Sequence, residues 1–164
     1  MAFERVELRG ASITTKAEIG KGRSTLTIGL DAPLTSEAAR ALGCQEKLFT
    51  SDGEVRPDLF FSTSVFHLSA EAVAVHLELD GIAKREVNAP DAEVGPVTIE
   101  LAEDSIRLKV RLVIRGSVDT QLRVLGFAIE VGNAPLVCRI SAKAAQNSLG
   151  GNFEHVHHQE PVGV

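Results

Sequence analysis

The sequence predicts a mainly β fold, either an antiparallel β-sandwich or a closed barrel, with one short helix. Two observations carry this prediction: apolar and polar residues alternate strictly over residues 105–115, and turn-forming residues separate that run from similar ones. Strands of an all-parallel sheet are covered on both faces and are apolar throughout, so the alternation favours antiparallel strands with one face in water. At 164 residues the chain predicts one domain, assigned to residues 1–150, with a flexible tail over 151–164.

The clearest predicted strand covers residues 105–115, where five aliphatic side chains fall on one side and cations fall on the other. A helix would scatter the same aliphatic residues around its circumference and leave no coherent apolar face. The aliphatic positions are Ile106, Leu108, Val110, Leu112 and Ile114.

Similar runs predict further strands in both halves of the chain. In the second half, residues 97–101, 121–131 and 136–142 join residues 105–115 in a meander of four strands, with turns at 102–105 and 132–135. In the first half, residues 20–23 form a turn before a strand at 25–30, and Asp80-Gly81 forms a hairpin after the run 65–79. Residues 50–58 and 88–96 are predicted to be loops.

The single predicted helix spans about residues 35–42. Thr35 or Ser36 can cap its amino end, Glu37 complements the positive end of its dipole, and Gly43 suits the position after its last turn. Two turns of helix are unstable alone, so this segment is expected to pack on the sheet.

Composition disfavours several classes of function. The formal net charge is −5, whereas non-specific nucleic-acid binding depends on neutralising phosphates. There is no Trp or Tyr to form a stacking platform for bases. The two cysteines, Cys44 and Cys138, are expected to be reduced. The chain has no signal-peptide pattern at its start and no apolar run of spanning length, so we expect a cytoplasmic protein without a membrane partner.

The sequence contains no complete motif for catalysis or cofactor binding. Residues 20–25 read Gly-Lys-Gly-Arg-Ser-Thr, which lacks the first glycine of a phosphate-binding P-loop and precedes a strand pattern instead of a helix. The nucleophile elbow, the zinc-protease HExxH and the CxxC pair are absent from the sequence. The sequence therefore predicts a protein that is not an enzyme and uses no cofactor.

The basic row, which we define as Arg107, Lys109, Arg111 and Arg115, is the first candidate site. Cations at strand spacing could follow a row of phosphates or receive an acidic partner. The simpler interpretation, which we favour, is a solvated sheet face whose charges are balanced by cross-strand carboxylates such as Glu100 and Glu130.

The second candidate site is the C-terminal histidine cluster, His155, His157 and His158. In an extended chain the first two would share a side, as two ligands of one metal should. A closed metal site needs further ligands that the sequence does not announce, so a solvated tail is favoured.

The sequence thus predicts a non-catalytic β-rich module for protein interaction or self-assembly, such as a phage or bacterial accessory protein. Its partner would be another protein or further copies of itself. Two alternatives stay open: a nucleic-acid-associated accessory protein that uses the basic row, and a metal-binding protein or metalloenzyme that uses the histidine cluster.

Overall fold

A computed structural model describes residues 5–20, 22–67, 72–81, 84–103, 105–142 and 154–157. These residues form eight strands and three helices. The strands are β1 (Arg5–Gly20), β2 (Arg23–Pro33), β3 (Thr63–His67), β4 (Ala72–Leu79), β5 (Glu86–Ala102), β6 (Ser105–Arg115), β7 (Leu136–Ala142) and β8 (Glu154–His157). The helices are α1 (Ser36–Ala41), α2 (Gln45–Leu48) and α3 (Val118–Val131).

The predicted mainly β, antiparallel class is confirmed. The strands are hydrogen-bonded in the order β4-β7-β1-β2-β6-β5-β3-β8, and every pair is antiparallel. A further pairing joins β4 to β5, so the pairing of six strands returns to its starting point. The turns predicted at 20–23 and 102–105 join neighbouring antiparallel strands as expected. The hairpin predicted at Asp80-Gly81 also joins two antiparallel strands, β4 and β5, but its connection is longer, because β5 begins only at Glu86.

Two long strands, β1 and β5, change partner along their length. Residues 5–11 of β1 pair with β7, and residues 12–20 pair with β2. The change follows a register shift at Gly10, whose φ of 71° is unfavourable for other residues. In β5, residues 86–93 pair with β4 and residues 93–102 pair with β6. Such bulges bend a strand and let it pair with different neighbours along its length.

The predicted loop at residues 88–96 is wrong, because β5 runs through it. Both of its prolines lie at register shifts of the strand. Pro90 lies between the residues paired with Val75 and Val73, and Pro96 lies within the shift between Val94 and Val97. A proline lacks an N–H donor and is tolerated in a sheet at such bulges. The residue pattern that suggested a loop therefore marks the bends of a strand.

The core is built from the inward side chains of the strands. All five aliphatic residues predicted for the buried face of β6 are at most 5% exposed. Corresponding rows on β1, β2, β4, β5 and β7 meet them in one cluster, which includes Leu8, Leu26, Ile28, Leu30, Val73, Val75, Leu77, Ile99, Leu136 and Ile140. Removing these apolar surfaces from water supplies the main favourable term in folding.

The predicted helix at 35–42 is present as α1, and Thr35 caps it by accepting a hydrogen bond from the Ala38 N–H at 3.1 Å. The prediction of a single helix is wrong, since α2 and α3 also form. Helix α3 replaces the strand predicted at 121–131. Ser117 caps its start by accepting from the Thr120 N–H at 3.2 Å, and Gly132 ends it with a φ of 58°.

Helix α3 packs on the sheet through a face formed by Gln121, Val124, Phe127 and Val131, all of which are buried. It contacts β1, β2, β5 and β6. The Gln121 side chain donates a hydrogen bond from Nε2 to the Ser24 carbonyl oxygen at 3.0 Å. This bond ties the first turn of the helix to the start of β2.

The burial pattern of β6 predicts that substitutions on its buried face lower the free energy of unfolding much more than substitutions on its outer face. Leu112→Ala should lower the free energy of unfolding by about 2–5 kcal/mol, because Leu112 is 0% exposed and its removal leaves a cavity. Arg111→Ala, one residue away on the outer face, should change it by less than about 0.5 kcal/mol. Urea unfolding of both variants measures the difference. Equal effects would contradict the assignment of faces.

Candidate interaction surfaces

The basic row lies on the outer face of β6, as predicted. Arg111 and Arg115 are exposed, and Arg107 and Lys109 are partly buried. Lys109 and Arg111 line a depression of about 320 Å³ that is also lined by Thr14, Thr98 and Asp31. The structure therefore brings the four predicted residues onto one surface.

Three of the four cations in this row are paired with carboxylates of neighbouring strands. Arg107 Nε donates to Asp31 Oδ1 at 2.8 Å, and Lys109 Nζ lies 3.0 Å from Glu100 Oε2. Arg115 Nε donates to Glu93 Oε2 at 2.8 Å. Each carboxylate comes from β2 or β5, the strands on either side of β6. The row is therefore largely neutralised within the chain.

Of the two carboxylates suggested from sequence, Glu100 is confirmed and Glu130 is wrong. Glu130 lies on α3 and its Oε2 is 2.9 Å from Arg85 Nε. Arg111 has no ion pair among the described residues; its side chain passes Gly95, where an added Cβ would come within 3.0 Å of the Arg111 carbonyl oxygen. One unpaired guanidinium is a weak focus for a polyanion.

A second polar network lies on the outer face of β4. His76 Nδ1 lies 2.7 Å from Asn88 Oδ1, and Nε2 lies 3.3 Å from Glu86 Oε1 and 3.5 Å from Glu78 Oε1. Arg139 on β7 donates to Glu78 Oε1 at 2.8 Å, and this guanidinium holds the pKa of the Glu78 carboxyl below its usual value. These side chains cross-link β4, β5 and β7 on their solvated side.

Only the backbone of two members of the histidine cluster, His155 and His157, lies within the described residues. Within residues 154–157 the backbone forms β8, which pairs with β3 so that His155 is opposite Phe66 and His157 is opposite Ser64. His158 lies outside the described residues. In the described part of the chain, no three His, Cys, Asp or Glu side chains are arranged to hold a metal ion. A metal site in this cluster stays a prediction.

The two cysteines are free and buried, in line with the expectation of reduced thiols. Burial raises the pKa of both thiols to about 12. A thiol with so high a pKa stays protonated near neutral pH and is a poor nucleophile or metal ligand. Cys44 and Cys138 therefore belong to the core.

An exposed apolar stripe on α3 is the feature that sequence reasoning missed. Val118 is 54% exposed, Leu122 is 61% exposed and Ile129 is 73% exposed. Together with the partly buried Leu125 they follow the spacing i, i+4, i+7 and i+11, which places them on one side of the helix. We call these four residues the α3 stripe. Helix α3 is thus apolar on two sides, one buried and one in water.

The second exposed surface is the outer half of β1. Residues 12–20 pair with β2 on one side only, and no strand among the described residues pairs along their other edge. Five consecutive residues at its end, 16–20, are exposed, and Ile19 is 86% exposed. We call residues 12–20 the β1 edge. An unpaired strand edge is a template for pairing with another chain.

The α3 stripe and the β1 edge meet in one depression of about 580 Å³. Its lining includes Ile19 from the end of β1 and Val118 from the start of α3, with Arg23 and Arg115 at its polar side. One residue of the β1 edge and one residue of the α3 stripe therefore lie next to each other at this point. In the described part of the chain, no helix is long and apolar enough to span a bilayer.

The ion pairs of the basic row predict that the chain binds DNA more tightly when the carboxylates that neutralise the row are removed. Asp31→Asn combined with Glu100→Gln should raise affinity for duplex DNA several-fold at low salt, because it frees Arg107 and Lys109. Asp52→Asn with Glu54→Gln makes the same charge change in a loop and serves as the control. Fluorescence anisotropy across a salt series gives the measurement. Tight binding by the unaltered chain that is lost in Arg107→Ala with Lys109→Ala would contradict this account.

Comparisons of the chain with protein-family models, with curated proteins and with solved structures gave no match.

Proposed function

We propose that the chain is a non-catalytic module that works by binding protein, through the α3 stripe and the adjoining β1 edge. The observation that carries the proposal is the exposure of Val118, Leu122 and Ile129 along one side of a helix whose opposite side is already buried. Apolar residues scattered singly on a surface need no explanation, but a contiguous stripe marks a contact site.

The charges around the stripe support this proposal. Arg123 Nη2 lies 2.9 Å from Asp119 Oδ2 on the same helix, so the charges beside the stripe are already paired. Contact sites typically combine an apolar centre with a polar rim. A helix with an exposed apolar stripe resembles the helices that peptide- and subunit-binding proteins present to a partner.

A nucleic-acid function receives less support from the geometry. Three cations of the basic row already have carboxylate partners, so binding a polyanion would have to break those pairs. The α3 stripe, in contrast, has a hydrophobic free energy to gain from any partner that covers it.

The stripe predicts that the native mass of the chain in extracts of its source cells exceeds 17.5 kDa. Leu122→Glu with Ile129→Glu should return it to the mass of a monomer, because charges would be buried at the contact. Arg123→Gln lies on the same helix beside the stripe and should leave the assembly intact. Native gel filtration with detection of a tagged chain measures this. The same mass for the unaltered chain and the stripe variant would refute the proposed function.

A further inference from the structure

The free backbone groups of the β1 edge can be identified from the hairpin register. A two-residue connection joins Gly20 to Arg23, so these two form a hydrogen-bonded pair that closes the β1–β2 hairpin. Hydrogen-bonded pairs then recur at every second residue, and the N–H and C=O groups of residues 12, 14, 16, 18 and 20 point to β2. The groups of Ile13, Thr15, Ala17 and Ile19 point away from it.

The charges of the same segment are self-complementary. Lys16 and Glu18 flank Ala17, and both are exposed on the outer face of the strand. When two β1 edges pair antiparallel, the residues whose backbone groups point away from β2 must lie opposite each other to form hydrogen bonds. These residues are all odd-numbered, so the two-fold axis passes through a residue and not between two residues. With the axis at Ala17, Lys16 of each copy lies opposite Glu18 of the other. With the axis at residue 16 or 18, like charges face each other, which destabilises a strand pair.

We propose, on the basis of the proposed function, that the partner at the β1 edge is a second copy of this chain. The two copies pair antiparallel about a two-fold axis at Ala17. The paired segment runs from residue 14 to residue 20 of each copy and adds about six main-chain hydrogen bonds. Most soluble oligomers are symmetric dimers with such an isologous contact.

Side chains on both faces of the strand fit this register. On the outer face, the Lys16–Glu18 pairs fall in non-hydrogen-bonded positions, where side chains are closest. On the inner face, Ile19 of one copy lies opposite Thr15 of the other, which covers a side chain that is 86% exposed in the monomer. Ile19 shares its depression with Val118, so the α3 stripes approach the same contact.

A lysine on an edge strand commonly acts to prevent such pairing. In β1 the acidic Glu18 lies two residues beyond Lys16. With the two-fold axis at Ala17, Lys16 of each copy pairs with Glu18 of the other copy and therefore does not oppose the pairing. Within a single copy, Lys16 Nζ is 3.8 Å from Glu18 Oε2, and both side chains are at least 65% exposed, so that contact contributes little.

Charge reversal tests the register. Lys16→Glu and Glu18→Lys should each raise the dimer dissociation constant about tenfold, since each places two like-charged pairs at the contact. An equal mixture of the two variants should recover the dimer, because every pair across a mixed contact is again oppositely charged. Sedimentation equilibrium of the purified chains measures these constants, and circular dichroism and urea unfolding check that each variant is folded.

A proline tests the edge itself. Ala17→Pro removes an outward N–H that the hairpin does not use, and should abolish the dimer, whereas Ala17→Val keeps that N–H and should retain the dimer. A purified chain that stays at 17.5 kDa at all concentrations would overturn the inference. So would a dimer that is indifferent to charge reversal and to Ala17→Pro. If a larger assembly in cell extracts still depended on the α3 stripe, the proposed function would stand and only the second copy as partner would be wrong.

Discussion

One-sided burial of the strands is the constraint on which the rest of the structure depends. Strands β1, β2, β4, β5, β6 and β7 each contribute an apolar row to one cluster, and β1 and β5 change their pairing partner at bulges. As a consequence, β1 pairs with β7 only over residues 5–11. From residue 12 onward its outer edge has hydrogen-bonding groups but no strand among the described residues to receive them.

Helix α3, like the strands, has one side buried in the core and one side in water. Its buried side closes over β1, β2, β5 and β6, and Gln121 fixes its first turn to β2. A helix that only had to cover the core would be polar on its remaining surface. The exposed Leu122 and Ile129 are not needed for that packing, and the proposed protein contact rests on them.

The sequence was sufficient for strands such as β2 and β6, because their alternation is an uninterrupted local signal, but not for residues 88–96 of β5, where prolines interrupt the pattern. The buried row of β6, the helix at Thr35 and the tight turns follow from neighbouring residues. The sequence interpretation failed at α3 for a physical reason: a helix with two apolar sides lacks the clean 3.6-residue period. Leu125 and Ile129 of the stripe alternate with Phe127 and Val131 of the buried side, and together they imitate the period of a strand. The signals that could have identified it were the caps, Ser117 before it and Gly132 after it. Strand order depends on residues far apart in the chain, so local patterns could not supply it. The free edge of β1 and the pairing of Asp31 with Arg107 therefore could not be predicted, whereas Glu100, on the strand next to β6 in the sequence, could.

Residue-resolved amide hydrogen exchange at several protein concentrations tests the pairing of two copies through β1 most directly. The amides of Lys16 and Glu18 point to β2 and should be protected at every concentration. The amides of Thr15, Ala17 and Ile19 should exchange freely in dilute solution and become protected as the concentration rises. Free exchange of these three amides at all concentrations, with Lys16 and Glu18 still protected, would contradict the account.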